Sequence, residues 1–216
     1  MKIRYLGHSC FQFVSEGGVR IVTDPYTKVG YEMPQGVASD LVTLSHGHFD
    51  HAFLDGVAEE PFVLDGRGGV FRFEDVEISS FSTFHDEKQG ALRGKNEIFK
   101  FVVNGIRLCH FGDLGETCRA DILEKIGETD VLLLPVGGTY TIDAVSAKEY
   151  ADKIGAKLVV PMHFKPEDGA LDIAPVSTYL ALCDASNVKN VVGELEITKE
   201  ELANTPPCVV CFERVK

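Results

Sequence analysis

The chain places three imidazoles and a carboxylate within six consecutive positions, His46-Gly47-His48-Phe49-Asp50-His51. Few arrangements other than a metal site make physical sense of that density. Neutral imidazole is the commonest metal ligand, and a carboxylate beside it balances the charge of a divalent cation. In extended chain the side chains of His46 and His48 point the same way and can converge on one ion. Asp50 and His51 follow as neighbours, and a helical turn there swings them towards a different point. The motif therefore predicts two metals. Two metals sharing four ligands would be undercoordinated, so the fold must supply further donors from later strands.

The motif is preceded by Asp40-Leu41-Val42-Thr43-Leu44, a short apolar and β-branched run that reads as a buried strand delivering it at its end. A histidine-rich tag would lie at a terminus and lack that strand. Of the seven histidines in the chain, four lie outside the motif. His163 follows the apolar run Val159-Val160-Pro161-Met162, and His85 follows Ser82-Thr83-Phe84, each at the end of a strand-like segment. His110 precedes Phe111-Gly112-Asp113, where a glycine-flanked turn is suited to aim a carboxylate inward. A lone histidine at a strand end is ordinarily structural; the cluster is what makes these candidates for ligands.

The string H-x-H-x-D-H, the later His85, the Gly-Asp turn at Asp113 and the Pro-x-His at His163 occur in an order that resembles the metallo-β-lactamase superfamily. Gly7-His8-Ser9-Cys10, Thr23-Asp24-Pro25 and His110-Phe111-Gly112-Asp113 are most similar to the branch containing L-ascorbate-6-phosphate lactonase and uncharacterised metal-dependent hydrolases. The resemblance implies an α/β fold, a four-layer αββα sandwich with the metals at one edge of two sheets. It implies that His46, His48 and His85 hold one ion, that Asp50, His51 and His163 hold the other, and that Asp113 bridges them. His85 rather than His110 matches the third histidine, which leaves His110 as a neighbour of the bridging carboxylate. Asp24 corresponds to a carboxylate that orients the metal loop, with a simple turn before Pro25 as the alternative. His8 is a further neighbour of the metals or, equally, a packed core residue.

With 216 residues, 44% hydrophobic and 25% charged, the chain is expected to form one domain over residues 1–216. A net charge of -12 opposes nonspecific attraction to nucleic acid or anionic lipid, so a small-molecule substrate is expected, with no nucleic-acid or membrane partner. Self-association into a homo-oligomer stays open. Residues 1–7 alternate like a strand, and the longest apolar stretch, Val131 to Val136, is too short to span a bilayer; a cytoplasmic protein is the expectation. The six cysteines are scattered through apolar segments and read as reduced thiols, the Cys208-x-x-Cys211 pair included.

The first half reads as strands at Lys2 to Leu6, Cys10 to Val14, Val19 to Thr23, Pro61 to Leu64, Val70 to Phe73, Val76 to Phe81, Ile98 to Val103 and Ile106 to Phe111, with a loop from Asp24 to about Ser39. Asn104-Gly105 is a hairpin signal. The second half alternates: helices at Cys118 to Ile126, Ser146 to Ile154 and Ala174 to Cys183, and strands at Val131 to Leu134, Leu158 to Val160, Val191 to Gly193 and Cys208 to Arg214.

The chemistry this predicts is hydrolysis. Two divalent cations, zinc first with manganese or iron as alternatives, lower the pKa of a bridging water to about 7 and furnish hydroxide as the nucleophile. Asp50 or Asp113 is the candidate proton acceptor. Arg93, Lys95, Asn96 and Lys165 are candidates to clamp a phosphate or carboxylate on a small ester, lactone or phosphoester, with ordinary surface charge as their alternative. No G-x-S-x-G elbow is present. Two other functions share the fold: an iron-dependent oxidoreductase, and a noncatalytic metal-binding scaffold.

Overall fold

The computed structural model describes residues 1–58, 60–66 and 68–215. In chain order the elements are β1 (Lys2–Gly7), β2 (Cys10–Val14), β3 (Arg20–Thr23), β4 (Val37–Ala38), β5 (Leu41–Thr43), β6 (Val57–Ala58), β7 (Phe62–Leu64), β8 (Gly69–Phe73), β9 (Val76–Phe84), β10 (Lys95–Val103) and β11 (Ile106–His110). There follow α1 (Ala120–Ile126), β12 (Val131–Pro135), α2 (Ala144–Ile154), β13 (Leu158–Met162), α3 (Val176–Leu180), β14 (Val188–Val191), β15 (Glu194–Glu196), α4 (Lys199–Asn204) and β16 (Cys208–Phe212).

Alternation along the strands decides what each sheet buries: in β1, Ile3 and Tyr5 point into the core while Lys2 and Arg4 remain half-buried. One sheet has the order β15-β1-β2-β3-β5-β7, a second has β14-β16-β13-β12-β11-β10-β9-β8, and β4 pairs separately with β6. Ile3, Phe11, Phe13, Ile21 and Leu41 of the first sheet share one apolar cluster with Ile78, Phe99, Phe101, Leu108 and Leu133 of the second. The two sheets are therefore stacked face to face, and each large side chain buried between them contributes about 1.5–3 kcal/mol. β12 and β13 are buried along their whole length, as parallel strands covered on both faces must be, and α2 and α3 pack against them. On the outer face of the first sheet, Leu6, Cys10, Val22 and Val42 meet Tyr26, Val29, Met33, Val37 and Val57. The layer there is built from the loop after β3, the β4–β6 pair and a short 3-10 turn, Leu54–Gly56, so the αββα order holds with little helix on that side.

Strand direction positions the site. β1, β3 and β5 run the same way in the first sheet, and β9, β11, β12 and β13 do so in the second. Their carboxyl ends meet at one edge, where the Glu97 N–H donates to the Ser45 carbonyl at 2.9 Å and the His163 N–H to the His8 carbonyl at 2.9 Å.

Several boundaries differ from the sequence reading for local reasons. The helix expected over Ala174 to Cys183 is confined to Val176–Leu180, because Pro175 at its N-cap keeps the preceding residue extended. The helix expected from Cys118 begins at Ala120, since Arg119 is still extended. α2 begins earlier than expected, capped by Asp143, whose carboxylate accepts from the Ser146 N–H at 2.8 Å. The strand expected at Val191 to Gly193 ends instead at Val191; Gly193, at φ 80°, turns the chain into β15, which the sequence reading missed. α4 was missed as well, although Thr198 and Glu201 form a capping box. The Asn104-Gly105 hairpin is present, with φ of 51° and 75°. All six cysteines are free. No helix among the described residues is long and apolar enough to cross a membrane.

Candidate metal centre

Each candidate donor sits just past the end of a strand: His8 after β1, Asp24 after β3, His46 to His51 after β5, His85 after β9, Asp113 after β11 and His163 after β13. Strand ends are where hydrogen-bonded backbone stops and side chains can be aimed into a common space. Three of these residues hold left-handed backbone without being glycine: His8 at φ 53°, Asp24 at φ 41° and His163 at φ 50°. Each such conformation costs of order 1–3 kcal/mol and persists only where its surroundings enforce it.

Asp113 is the hub. Its Oδ2 lies 3.1 Å from His51 Nε2, 3.2 Å from His85 Nε2, 3.2 Å from His163 Nε2 and 4.0 Å from His46 Nε2. Around it, ligand atoms of His46, His48 and His85 form one close group, and those of His8, Asp50, His51 and His163 form another. The Nε2 atoms of His46, His51 and His163 and Oδ1 of Asp113 are buried with no hydrogen-bond partner. Buried polar atoms are ordinarily satisfied, so converging orphans of this kind fit a cation as the missing partner.

Hydrogen bonds beneath the donors set their tautomers. Asp24 accepts from the Ser45 N–H at 2.7 Å, the Ser45 hydroxyl at 2.6 Å and His51 Nδ1 at 2.9 Å. A carboxylate only accepts, so His51 Nδ1 carries a proton, and Nε2, 3.1 Å from Asp113 Oδ2, is the nitrogen whose lone pair a metal would take in place of a proton. The Ser45 hydroxyl, committed as donor to Asp24, accepts from His46 Nδ1 at 2.9 Å, which fixes the same tautomer on His46. Ser45 thus has a role that no spacing in the sequence signals.

His110 resolves differently. Its Nε2 donates to the Ser9 carbonyl at 2.9 Å and its Nδ1 accepts from the Gly112 N–H at 3.1 Å, so both nitrogens are engaged by backbone and neither is available to a metal. It joins the β1–β2 connection of one sheet to the Asp113 turn of the other. Asn96 departs from the sequence expectation. It is fully buried, donates to Thr83 Oγ1 at 2.9 Å and to the Phe111 carbonyl at 2.8 Å, and accepts from the Asp113 N–H at 2.7 Å. Its hydrogen-bonding capacity is engaged in holding the Asp113 turn, so it is a positioning residue and does not clamp a substrate. Arg93 and Lys165 are half-buried and Lys95 is exposed. Asp86, which the sequence reading passed over, accepts from the N–H groups of Lys88, Gly90, Leu92 and Arg93 and shapes the loop beside His85.

Burial pushes the pKa of His8 down to about 4 and that of His46 down to about 3, which keeps both imidazoles neutral and able to donate a lone pair. For His51, burial opposes charge most strongly, but Asp113 and Asp24 on either side outweigh it and hold its pKa well above the ordinary value. The carboxyl of Asp113 is likewise held well below its usual range: burial raises it, and His163 and His51 more than reverse that. A proton on His51 between two carboxylates occupies the electrostatic position a divalent cation would take.

Two stacked sheets with imidazole and carboxylate donors gathered at the strand ends of one edge define the metallo-β-lactamase class of metal-binding proteins. The β-lactamase superfamily domain matches residues 2–163, and the chain belongs to that superfamily. Among its relatives is a protein from Methanoculleus marisnigri named as a metal-dependent hydrolase, 31% identical over 186 residues, which covers 76% of this chain and 81% of that one. The solved structure of a metallo-β-lactamase superfamily protein from Thermotoga maritima matches with a TM-score of 0.80 at 39% identity, covering 99% of each chain. Igni18, a metallo hydrolase from Ignicoccus hospitalis, shares the fold at 21% identity and a TM-score of 0.59, over 76% of this chain and 82% of that one.

Proposed function

We propose that the protein is a hydrolase that holds two divalent cations and cleaves a small ester, lactone or phosphoester. The observation that carries this reading is the set of partnerless buried atoms on His46, His51, His163 and Asp113, converging at the strand ends. Two ions bound there would supply hydroxide at neutral pH and polarise the bond under attack. His46, His48 and His85 would hold one, Asp50, His51 and His163 the other, and Asp113 would stand between them. An imidazole-rich donor set favours zinc and also suits iron or manganese.

Around those donors the chain's own residues orient and move protons. Asp24 keeps the Nε2 lone pairs of His51 and, through Ser45, of His46 aimed at the centre. Asp50 is the more accessible of the two candidate proton acceptors, its side chain being 13% exposed while that of Asp113 is 2% exposed and enclosed by imidazoles. A cavity of about 270 Å³ is lined by Asp86, Leu92, Arg93, Gly115, Thr139 and Tyr140, with Asp86 next in sequence to His85 and Gly115 two residues past Asp113. Arg93 reaches across it, donating to the Thr139 carbonyl at 3.1 Å and lying 5.5 Å over the Tyr140 ring. Its guanidinium is placed to take a phosphate or carboxylate at the far end of a substrate. The cavity size and the net charge of -12 both favour a small molecule over a polynucleotide.

The test is to measure metal content and then screen the reconstituted protein against lactones, thioesters and phosphodiesters. Activity should vanish on chelation and return with metal. Full activity after His46→Ala or Asp113→Asn would overturn the reading.

A further inference from the structure

We propose that His8 is a direct ligand of the ion held by Asp50, His51 and His163, and that this position is the first of the two to fill; the inference rests on the two-ion reading. His8 is far from the motif in sequence, yet its Nε2 stands 3.3 Å from Asp50 Oδ2, and its ring centroid lies 4.2 Å from that of His163 and 5.1 Å from that of His51. The candidate ligand atoms of these four residues lie within 4.8 Å of one another. Two donors at about 2.1 Å from one ion stand roughly 3–4 Å apart, so contraction by an ångström or less brings all four onto it.

The backbone holds His8 for this purpose. Its N–H donates to the Tyr31 hydroxyl at 3.0 Å, and its carbonyl accepts from the Tyr5 hydroxyl at 3.1 Å and from the His163 N–H at 2.9 Å. That last bond ties together two residues in left-handed conformations, at φ 53° and 50°, and so sets their two rings side by side facing one point. A histidine needed only for packing requires neither the strained backbone nor the shared aim.

The two positions are then unequal. His8, Asp50, His51 and His163 are all buried, and this group has a carboxylate of its own besides its share of Asp113. The other group has His46, His48 and His85, with His48 exposed and only the shared Asp113 carboxylate. More donors, more compensating charge and preformed geometry all favour the group containing His8 for the first ion.

The experiment titrates metal-free protein with zinc against a competing chelator, comparing wild type, His8→Gln and His48→Ala. Glutamine retains an amide N–H to donate to Asp50 but removes the imidazole, so it separates ligation from simple support of Asp50. The expected result is that His8→Gln weakens the first equivalent by more than the roughly 10–100-fold that loss of a supporting hydrogen bond costs and leaves the second unchanged, while His48→Ala weakens only the second. First-equivalent affinity unchanged in His8→Gln overturns the proposal. Independently of any variant, one equivalent of cadmium on the wild-type protein should give a scalar coupling to a His8 ring nitrogen, and its absence with couplings at His51 and His163 present also overturns it. Uptake of a single ion by the wild type would refute the two-ion reading instead, and the His8→Gln comparison would still decide the claim on that ion.

Discussion

Asp24→Asn is a nearly isosteric change whose consequence follows from donor and acceptor counting. The native carboxylate accepts from three donors, the Ser45 N–H, the Ser45 hydroxyl and His51 Nδ1–H, at 2.7, 2.6 and 2.9 Å. Asparagine offers one acceptor oxygen. If that oxygen stays on the Ser45 N–H, the amide NH₂ faces His51 Nδ1, which must become an acceptor; the imidazole proton then moves to Nε2 and removes the lone pair aimed at Asp113. If the amide flips, its NH₂ meets the Ser45 N–H, leaving a buried donor unsatisfied at about 1–3 kcal/mol. Burial alone disfavours the ionised Asp24, but the hydrogen bond and charge of His51 outweigh it and leave the carboxyl below its usual range, so losing the charge is a net loss. In the first case metal affinity should fall about 10–100-fold, which is about 1.4–2.8 kcal/mol. Chelator competition reads the affinity and thermal unfolding of the metal-free protein reads the stability. Ser45→Ala, which removes one donor and breaks the link to His46, should show a smaller drop. Wild-type affinity together with wild-type stability in Asp24→Asn would refute the tautomer argument.

Gly112→Ala tests how tightly the Asp113 turn is enclosed: with φ at +54°, an added Cβ would overlap Asn96 Oδ1 and come 2.5 Å from Ser45 Cβ, both side chains being fixed by hydrogen bonds. It should destabilise by about 1–3 kcal/mol and lower metal content, whereas Gly105→Ala, also at positive φ but with open space around it, should cost only about 1 kcal/mol and keep its metal; equal effects would count against the enclosure. Away from the site, Asp130 accepts from the Arg107 N–H, its Nε and Nη2 and from Lys199 Nζ. Burial raises its pKa, but those partners more than reverse this and set it well below the usual range. A depressed carboxyl contributes stability above its unfolded pKa of about 3.9 that is lost as pH falls towards the folded value. Asp130→Asn should therefore be less stable than wild type by about 1–3 kcal/mol at pH 7, with the gap closing below about pH 4; a gap in denaturation midpoints that stays constant down to pH 2 would contradict the assignment.

Legibility in the sequence followed the range of the interaction. Short apolar strands bounded by turn residues, such as Cys10–Val14, and the hairpin at Asn104-Gly105 are local signals and could be placed to within a residue or so. β15 and the β4–β6 pair are short and owe their existence to pairing partners elsewhere in the chain, β1 in the case of β15; α4 does carry a local signal, the Thr198–Glu201 capping box, but spans only Lys199–Asn204, too short for a helical period to show. Asn96 shows the same limit at the site. Its place beside Arg93 and Lys95 suggested a substrate clamp, but pairing of β10 between β9 and β11 turns its side chain into the Asp113 turn.

The sequence by itself determined the density of donors at His46 to His51 and the strand-end placement of His85, Asp113 and His163, because ligand chemistry and strand periodicity are properties of neighbouring residues. Only the tertiary structure decided that His110 has no free nitrogen, that Asp24 and Ser45 fix the tautomers of His51 and His46, and that His8 stands against Asp50. Those outcomes depend on which strand ends are brought to one edge, and that is set by the pairing and stacking of two whole sheets rather than by any segment of the chain.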